Sequence, residues 1–231
     1  MVKIVEVKSV TKDFGEDGIV TRALRGVDLD LMAGEFTSMA GPSGSGKTTL
    51  LNIIGGLDRP TSGTVSIEGK EINQLSEGEL SRLRRDRIGF IFQSYNLIPV
   101  LTAFENAEYV LMIQNMEKEE RRERVLRVLK EVGLEGLEHR FPRELSGGQQ
   151  RVAIARAIAP EPALILADEP TANVDSETAS SLMDLLRRLN EEKGMTFLFS
   201  THDHAVMKRA GRLIRLQDGR IIEDNLQTGY R

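Results

Sequence analysis

Two stretches of this chain place side chains where they can handle phosphate. The first, Gly41-Pro42-Ser43-Gly44-Ser45-Gly46-Lys47-Thr48, has the spacing G-x-x-x-x-G-K-[ST]. Glycines let the backbone curl so that successive N–H groups face inward at an α- and a β-phosphate, and the helix that follows adds partial positive charge. Lys47 then reaches the β- and γ-phosphates of the nucleotide, the Thr48 hydroxyl ligates Mg²⁺, and Thr49 sits beside them at the helix start. The second stretch is Asp168-Glu169, at the end of the apolar run Ala163-Leu164-Ile165-Leu166-Ala167. Phosphoryl transfer needs positioning and charge neutralisation more than covalent chemistry. Asp168 suits a Mg²⁺-binding carboxylate at a strand's C-terminal end, and Glu169 is placed to polarise the attacking water. His202 also follows a buried run, Met195 to Phe199, whereas His139 and His204 read as structural.

These residues need strands and helices to hold them. Phe36 to Ala40 reads as the strand feeding the glycine loop, and the helix from Thr48 ends at Gly55-Gly56. Residues 2–10 alternate apolar with polar, as do Val27, Leu29 and Leu31, and Thr64 to Glu68 suggests another antiparallel strand. Residues 76–87 are helix-compatible, and Ile88 to Phe92 is a short buried strand. From Leu101 to Ala159 the pattern is helical, with an amphipathic helix over 118–132 stopped by Gly133. Residues 163–167 read as a central parallel strand, apolar on both faces, 176–193 as an amphipathic helix, and Asp218-Gly219 as a hairpin turn. Phe14 precedes the Gly15 to Gly18 loop; it either packs in the core or stacks on a base. The expectation is a single α/β domain over 1–231. It has a P-loop NTPase (RecA-like) core, an antiparallel β subdomain (about 1–35 and 64–75) and an inserted helical subdomain (about 94–160).

Composition narrows the function. The 231 residues are 40% apolar and 29% charged with a net charge of −4, so nothing points to nucleic acid as a partner. There is no cysteine, which excludes disulfides and thiolate metal sites. No apolar run approaches the roughly 18–20 residues that span a bilayer, so work at a membrane would require recruitment by a partner. The lack of cysteine suits an intracellular protein, and recruitment through such a partner would make the chain cytoplasmic and peripheral on the inner face of the membrane.

A second small-residue turn, Leu145-Ser146-Gly147-Gly148-Gln149, opens another helix and makes another anion site. One chain needs only one γ-phosphate site, so this turn implies a nucleotide held by another subunit. Here the chain resembles the ATP-binding subunits of ABC transporters, whose signature is Leu-Ser-Gly-Gly-Gln. The resemblance covers nearly the whole chain. It implies that Phe14 stacks on adenine, that Gln93 senses Mg²⁺ and the membrane partner, and that Ser146 to Gln149 bind the partner subunit's ATP. It further implies that Asp175 lies in a dimer-contact loop and that His202 contacts the γ-phosphate. Lys47, Glu169 and His202 are then the catalytic set, and Thr48, Gln93 and Asp168 the metal set.

The implied assembly is an ATP-sandwiched homodimer bound to transmembrane permease subunits. Residues Asn96 to Asn106 resemble the branch of lipoprotein-releasing LolD, macrolide-exporting MacB and division-linked FtsE. An FtsE-like regulator that moves no substrate, or a soluble ABC ATPase of DNA repair or translation, is the alternative. One departure stands out. The family usually has four residues, Gln-Gln-Gln-Arg, between the signature glycines and Val-Ala-Ile-Ala-Arg, and this chain has only Gln149, Gln150 and Arg151. Removing one helical residue rotates everything beyond it by about 100° unless a loop absorbs the shift. In the dimer loop, Ala172 replaces a commoner Gly or Ser.

Overall fold

The computed structural model describes residues 2–15, 20–145 and 147–227. The chain opens with a long hairpin, β1 (Lys3–Phe14) against β2 (Thr21–Met32). Val5 and Val7 point inward by simple alternation, but Ser9 adopts φ 48° and gives its N–H to Asp28 Oδ1 at 2.8 Å. The resulting bulge shifts the register so that Val10 takes the next buried position. Both strands run well beyond their apolar alternation, because pairing extends the ladder through the polar residues Asp13 and Arg22.

β3 (Phe36–Ala40) leads into α1 (Lys47–Ile54). β4 (Ser62–Ile67) and the short β5 (Lys70–Glu71) then complete a four-stranded antiparallel sheet in the order β2-β1-β4-β5. α2 (Glu77–Arg87) begins at a capping box in which the Ser76 and Glu79 side chains each accept the other's backbone N–H.

β6 (Ile88–Ile91) ends the first half, and the helical block follows as separate pieces. These are α3 (Ala103–Ile113), α4 (Lys118–Glu131), a 3₁₀ turn (Pro142–Glu144) and α5 (Gln149–Ile158). The loop before α3 is compact because the buried Asn106 amide donates to the carbonyls of Ile98, Leu101 and Thr102 at 3.0–3.1 Å. β7 (Leu164–Asp168) and β8 (Thr196–Thr201) flank α6 (Ser176–Lys193). α6 is capped by the Asp175 side chain and stopped by Gly194 in the left-handed region. A single turn, α7 (His204–Met207), precedes the closing hairpin β9 (Arg212–Gln217) and β10 (Arg220–Leu226).

The second sheet has the order β10-β9-β3-β8-β7-β6 and is parallel from β9 to β6. Its two faces feed two cores. Phe36, Phe197 and Phe199 face α3 to α6, whereas Met39, Leu198 and Ile214 face α1 and the antiparallel sheet. The central strands β7 and β8 are buried on both faces; β7 is apolar up to Asp168, whereas β8 also buries Thr196, Ser200 and Thr201. Among the described residues, no helix is long and apolar enough to cross a membrane.

Candidate functional site

The glycine loop lies between β3 and α1, at the C-terminal edge of the parallel sheet. Gly41 sits at φ 157° and Gly46 at φ 105°. A Cβ on Gly41 would lie 2.1 Å from the Leu216 carbonyl oxygen, and one on Gly46 would lie 2.7 Å from that of Ala23. Both positions therefore require glycine. No side chain caps α1 and no acidic residue stands in its first turn, so the N–H groups there remain free for an anion. Lys47 is buried, and its Nζ donates to the carbonyls of Gly41 and Pro42 at 2.9 and 3.0 Å. The loop thus holds its own cation.

Thr48 Oγ1 donates to Asp168 Oδ2 at 2.9 Å and lies 3.2 Å from Oδ1, joining the start of α1 to the end of β7. Asp168 Oδ1 also accepts from Ser200 Oγ at 2.6 Å. That same hydroxyl oxygen accepts the N–H of Glu169 at 2.9 Å. Glu169 adopts φ 45°, an uncommon conformation for a residue with a side chain, and this turn separates its carboxylate from that of Asp168. Its Oε1 lies 3.0 Å from His202 Nδ1, just beyond the end of β8. Two neighbouring strand ends thus present two carboxylates, a hydroxyl and an imidazole. Reading the sequence overlooks Ser200; the available signal is its place at the end of a buried strand, directly paired with Asp168.

Gln93, Thr48, Thr49, Asp168 and Glu169 line one cavity of about 260 Å³ together with Ser43, Gly44, Gly46 and Lys47. Pro42 and His202 line a neighbouring cavity that also includes His204 and Arg215. Phe14 is exposed at the end of β1, with Lys12 Nζ 4.8 Å from its ring centroid, and it does not line the phosphate cavity. Asp175 accepts the backbone N–H groups of Glu177 and Thr178. The Thr178 bond leads in holding its carboxyl below the usual carboxylate range.

The described residues of the Leu145 to Gln149 turn lie elsewhere. Ser146 falls outside the described residues, Gly147 adopts φ 67°, Gly148 precedes α5 without a side-chain cap, and Gln149 begins the helix. None of Gly147, Gly148 or Gln149 lines the phosphate cavity. Val152, Ala153, Ile154, Ala157 and Ile158 all stay buried, so the body of α5 has not rotated out of the core. Gln150 is only 2% exposed, and its Nε2 has no hydrogen-bond partner.

The family model for ABC transporters matches residues 24–172. An ABC transporter ATP-binding protein of Methanocaldococcus jannaschii, MJ0796, is 48% identical over 98% of this chain and 99% of its own. Its solved dimer in a post-hydrolysis state, bound to ADP and Pi, superposes with a TM-score of 0.90, covering 98% of this chain and 100% of that one. The lipoprotein-releasing system ATP-binding protein LolD of Anaeromyxobacter dehalogenans is 47% identical over 95% of this chain and 93% of its own. The Escherichia coli macrolide export ATP-binding/permease protein MacB is 46% identical over 97% of this chain, which spans 35% of that longer protein. With the glycine loop and the paired carboxylates brought to one cavity, and relatives nearly half identical along almost its full length, the chain belongs to the ABC transporter family as an ATP-binding, ATP-hydrolysing subunit.

Proposed function

We propose that this chain is the motor of a LolD/MacB-type exporter. Two copies hold ATP between the phosphate loop of one and the Leu145 to Gln149 turn of the other, and their closure drives a permease at the inner face of the membrane. The observation that carries this reading is a separation. Thr48, Gln93, Asp168 and Glu169 share one cavity, and the described residues of the second anion turn do not line it. That turn gains a use when it is offered to another copy's nucleotide. The dimeric MJ0796 cassette supports the same reading, as do the relatives named for lipoprotein release and macrolide export.

Within the cavity, Lys47 and the free N–H groups of α1 bind the phosphates. The donors facing Asp168 suit Mg²⁺, which prefers hard oxygen ligands: the Thr48 hydroxyl, the Asp168 carboxylate and the Gln93 amide oxygen. When bound, Mg²⁺ neutralises charge on the β- and γ-phosphate oxygens. Glu169 polarises the attacking water and takes its proton, while His202 holds Oε1 so that Oε2 is left for the water. Phe14, exposed beyond β1, offers a face for adenine.

The helical block, about 94–160, acts as a lobe that turns on the P-loop core, and the antiparallel parts, about 1–35 and 64–75, steady the nucleotide side. Between lobe and core lies a groove of about 410 Å³, floored by Ile88, Phe90 and Phe92 and edged by Leu57, Tyr109 and Ile113. The last three are 40–46% exposed, an apolar cluster suited to a docking segment of the permease. Glu169→Gln tests the sandwich, because it removes the proton acceptor and keeps the shape. With saturating ATP the variant is expected to run as a dimer on size exclusion, and a persistent monomer overturns the model.

A further inference from the structure

The loop from β6 to α3 carries Gln93 and contains two consecutive left-handed residues that are not glycine, Tyr95 at φ 59° and Asn96 at φ 46°. One such residue is uncommon, and an adjacent pair persists only where its surroundings hold it. Two side chains supply that hold. Asn173, in the loop after Glu169, donates Nδ2 to the Gln93 carbonyl at 3.0 Å. Arg156, on α5, donates Nη1 to the Asn96 carbonyl at 2.6 Å and Nη2 to the Tyr95 carbonyl at 2.8 Å. A guanidinium presents its N–H groups as a flat fork, which matches two successive carbonyls as an ammonium cannot.

Arg156 is an unusual place for a charge. Its N–H groups meet only those carbonyls, it has no carboxylate partner among the described residues, and burial pulls its pKa down. Arg156 is half-buried, and an apolar residue in its place would pack there but leave both carbonyls without their donors. Its position supplies a reason. Arg156, Asn96 and Phe92 line the groove between lobe and core, while Gln93 lines the phosphate cavity with Thr48 and Asp168. One short loop separates the two spaces, and the fork grips it from the groove side.

We propose that Arg156 is a positioning residue for ATP hydrolysis. Its fork latches the left-handed Tyr95–Asn96 pair and so sets Gln93 against Thr48 and Asp168. The inference rests on the reading of Gln93 as a metal-side residue. It goes further by naming the group that keeps Gln93 in place, on a helix that touches no part of the phosphate cavity. Segments entering the groove therefore meet the latch before they meet the nucleotide.

The test compares Arg156→Gln, Arg156→Lys and Gln93→Ala in the full chain. Mn²⁺ affinity of the ATP complex is read by electron paramagnetic resonance in the Glu169→Gln background. kcat, KM for ATP and Tm are read with Glu169 intact. Arg156→Gln is expected to weaken Mn²⁺ binding and to lower kcat by about tenfold, the scale for groups that orient metal ligands, with KM for ATP nearly unchanged. Arg156→Lys, which keeps the charge and loses the fork, is expected to fall between wild type and Arg156→Gln, and it serves as the folded test if Arg156→Gln does not fold. Wild-type Mn²⁺ affinity in the Arg156 variants, with affinity lost in Gln93→Ala, overturns the latch alone. Wild-type affinity in Gln93→Ala overturns the reading of Gln93 and the latch with it.

Discussion

Ser200 shows how one buried hydroxyl can tie two consecutive acidic residues to a neighbouring strand. It donates to Asp168 and accepts from the N–H of Glu169, and it is fully buried. Ser200→Ala leaves that N–H without an acceptor and takes the shorter of two hydroxyl contacts from Asp168 Oδ1. Stability is expected to fall by about 1–3 kcal/mol, read by denaturant unfolding. ATP turnover is expected to fall with it by about tenfold or more, because both carboxylates lose their register. That the glycine loop, Asp168 and Glu169 come together is legible in the sequence, because each follows an apolar run that reads as a strand. Ser200 was not, since its partners reach it only through pairing of β7 with β8. His202 was legible by position, and its contact with Glu169 was not.

Among the elements, α5 carries the chain's departure from its family. Arg151 fixes the first turn from both sides, with Nη1 on the Val132 carbonyl at 2.7 Å and Nη2 on Ser181 Oγ at 2.8 Å. The helix body keeps its buried face. Inserting a glutamine between Gln150 and Arg151 is expected to raise ATP turnover and the dimer fraction of the Glu169→Gln variant severalfold, while ATP binding to the monomer stays within about twofold. Unchanged turnover would show that the short approach is harmless. α6 could be read almost residue for residue, because Asp175 and Gly194 mark its ends and its apolar face is continuous. The compact loop before α3 could not, since the Asn106 bonds that shape it link residues on different turns of the chain.

At the scale of the whole molecule, acid is the simplest probe. Arg87 holds the Glu68 carboxyl below the usual range, as the cap backbone N–H groups do for Glu79, Glu105 and Asp175. Each of these groups binds fewer protons folded than unfolded. Their stabilisation is therefore complete above the unfolded pKa values near about 4 and is lost as pH falls through the lower folded values. Without nucleotide, Tm is expected to be flat from pH 7 to about 5.5 and to fall below about 4.5, as read by calorimetry. Alternating strands and helices gave the fold class, but strand order was not legible. It depends on which runs meet across long stretches of chain, as β3 does when it settles between β8 and β9. That central placement gives β8 a double allegiance. Phe197 and Phe199 belong to one core and Leu198 to the other, so the strand is a party wall between two compartments. A disturbance in the room of the helices has a way out of it, because the wall that feels it ends in Ser200, which is bonded to Asp168 and Glu169.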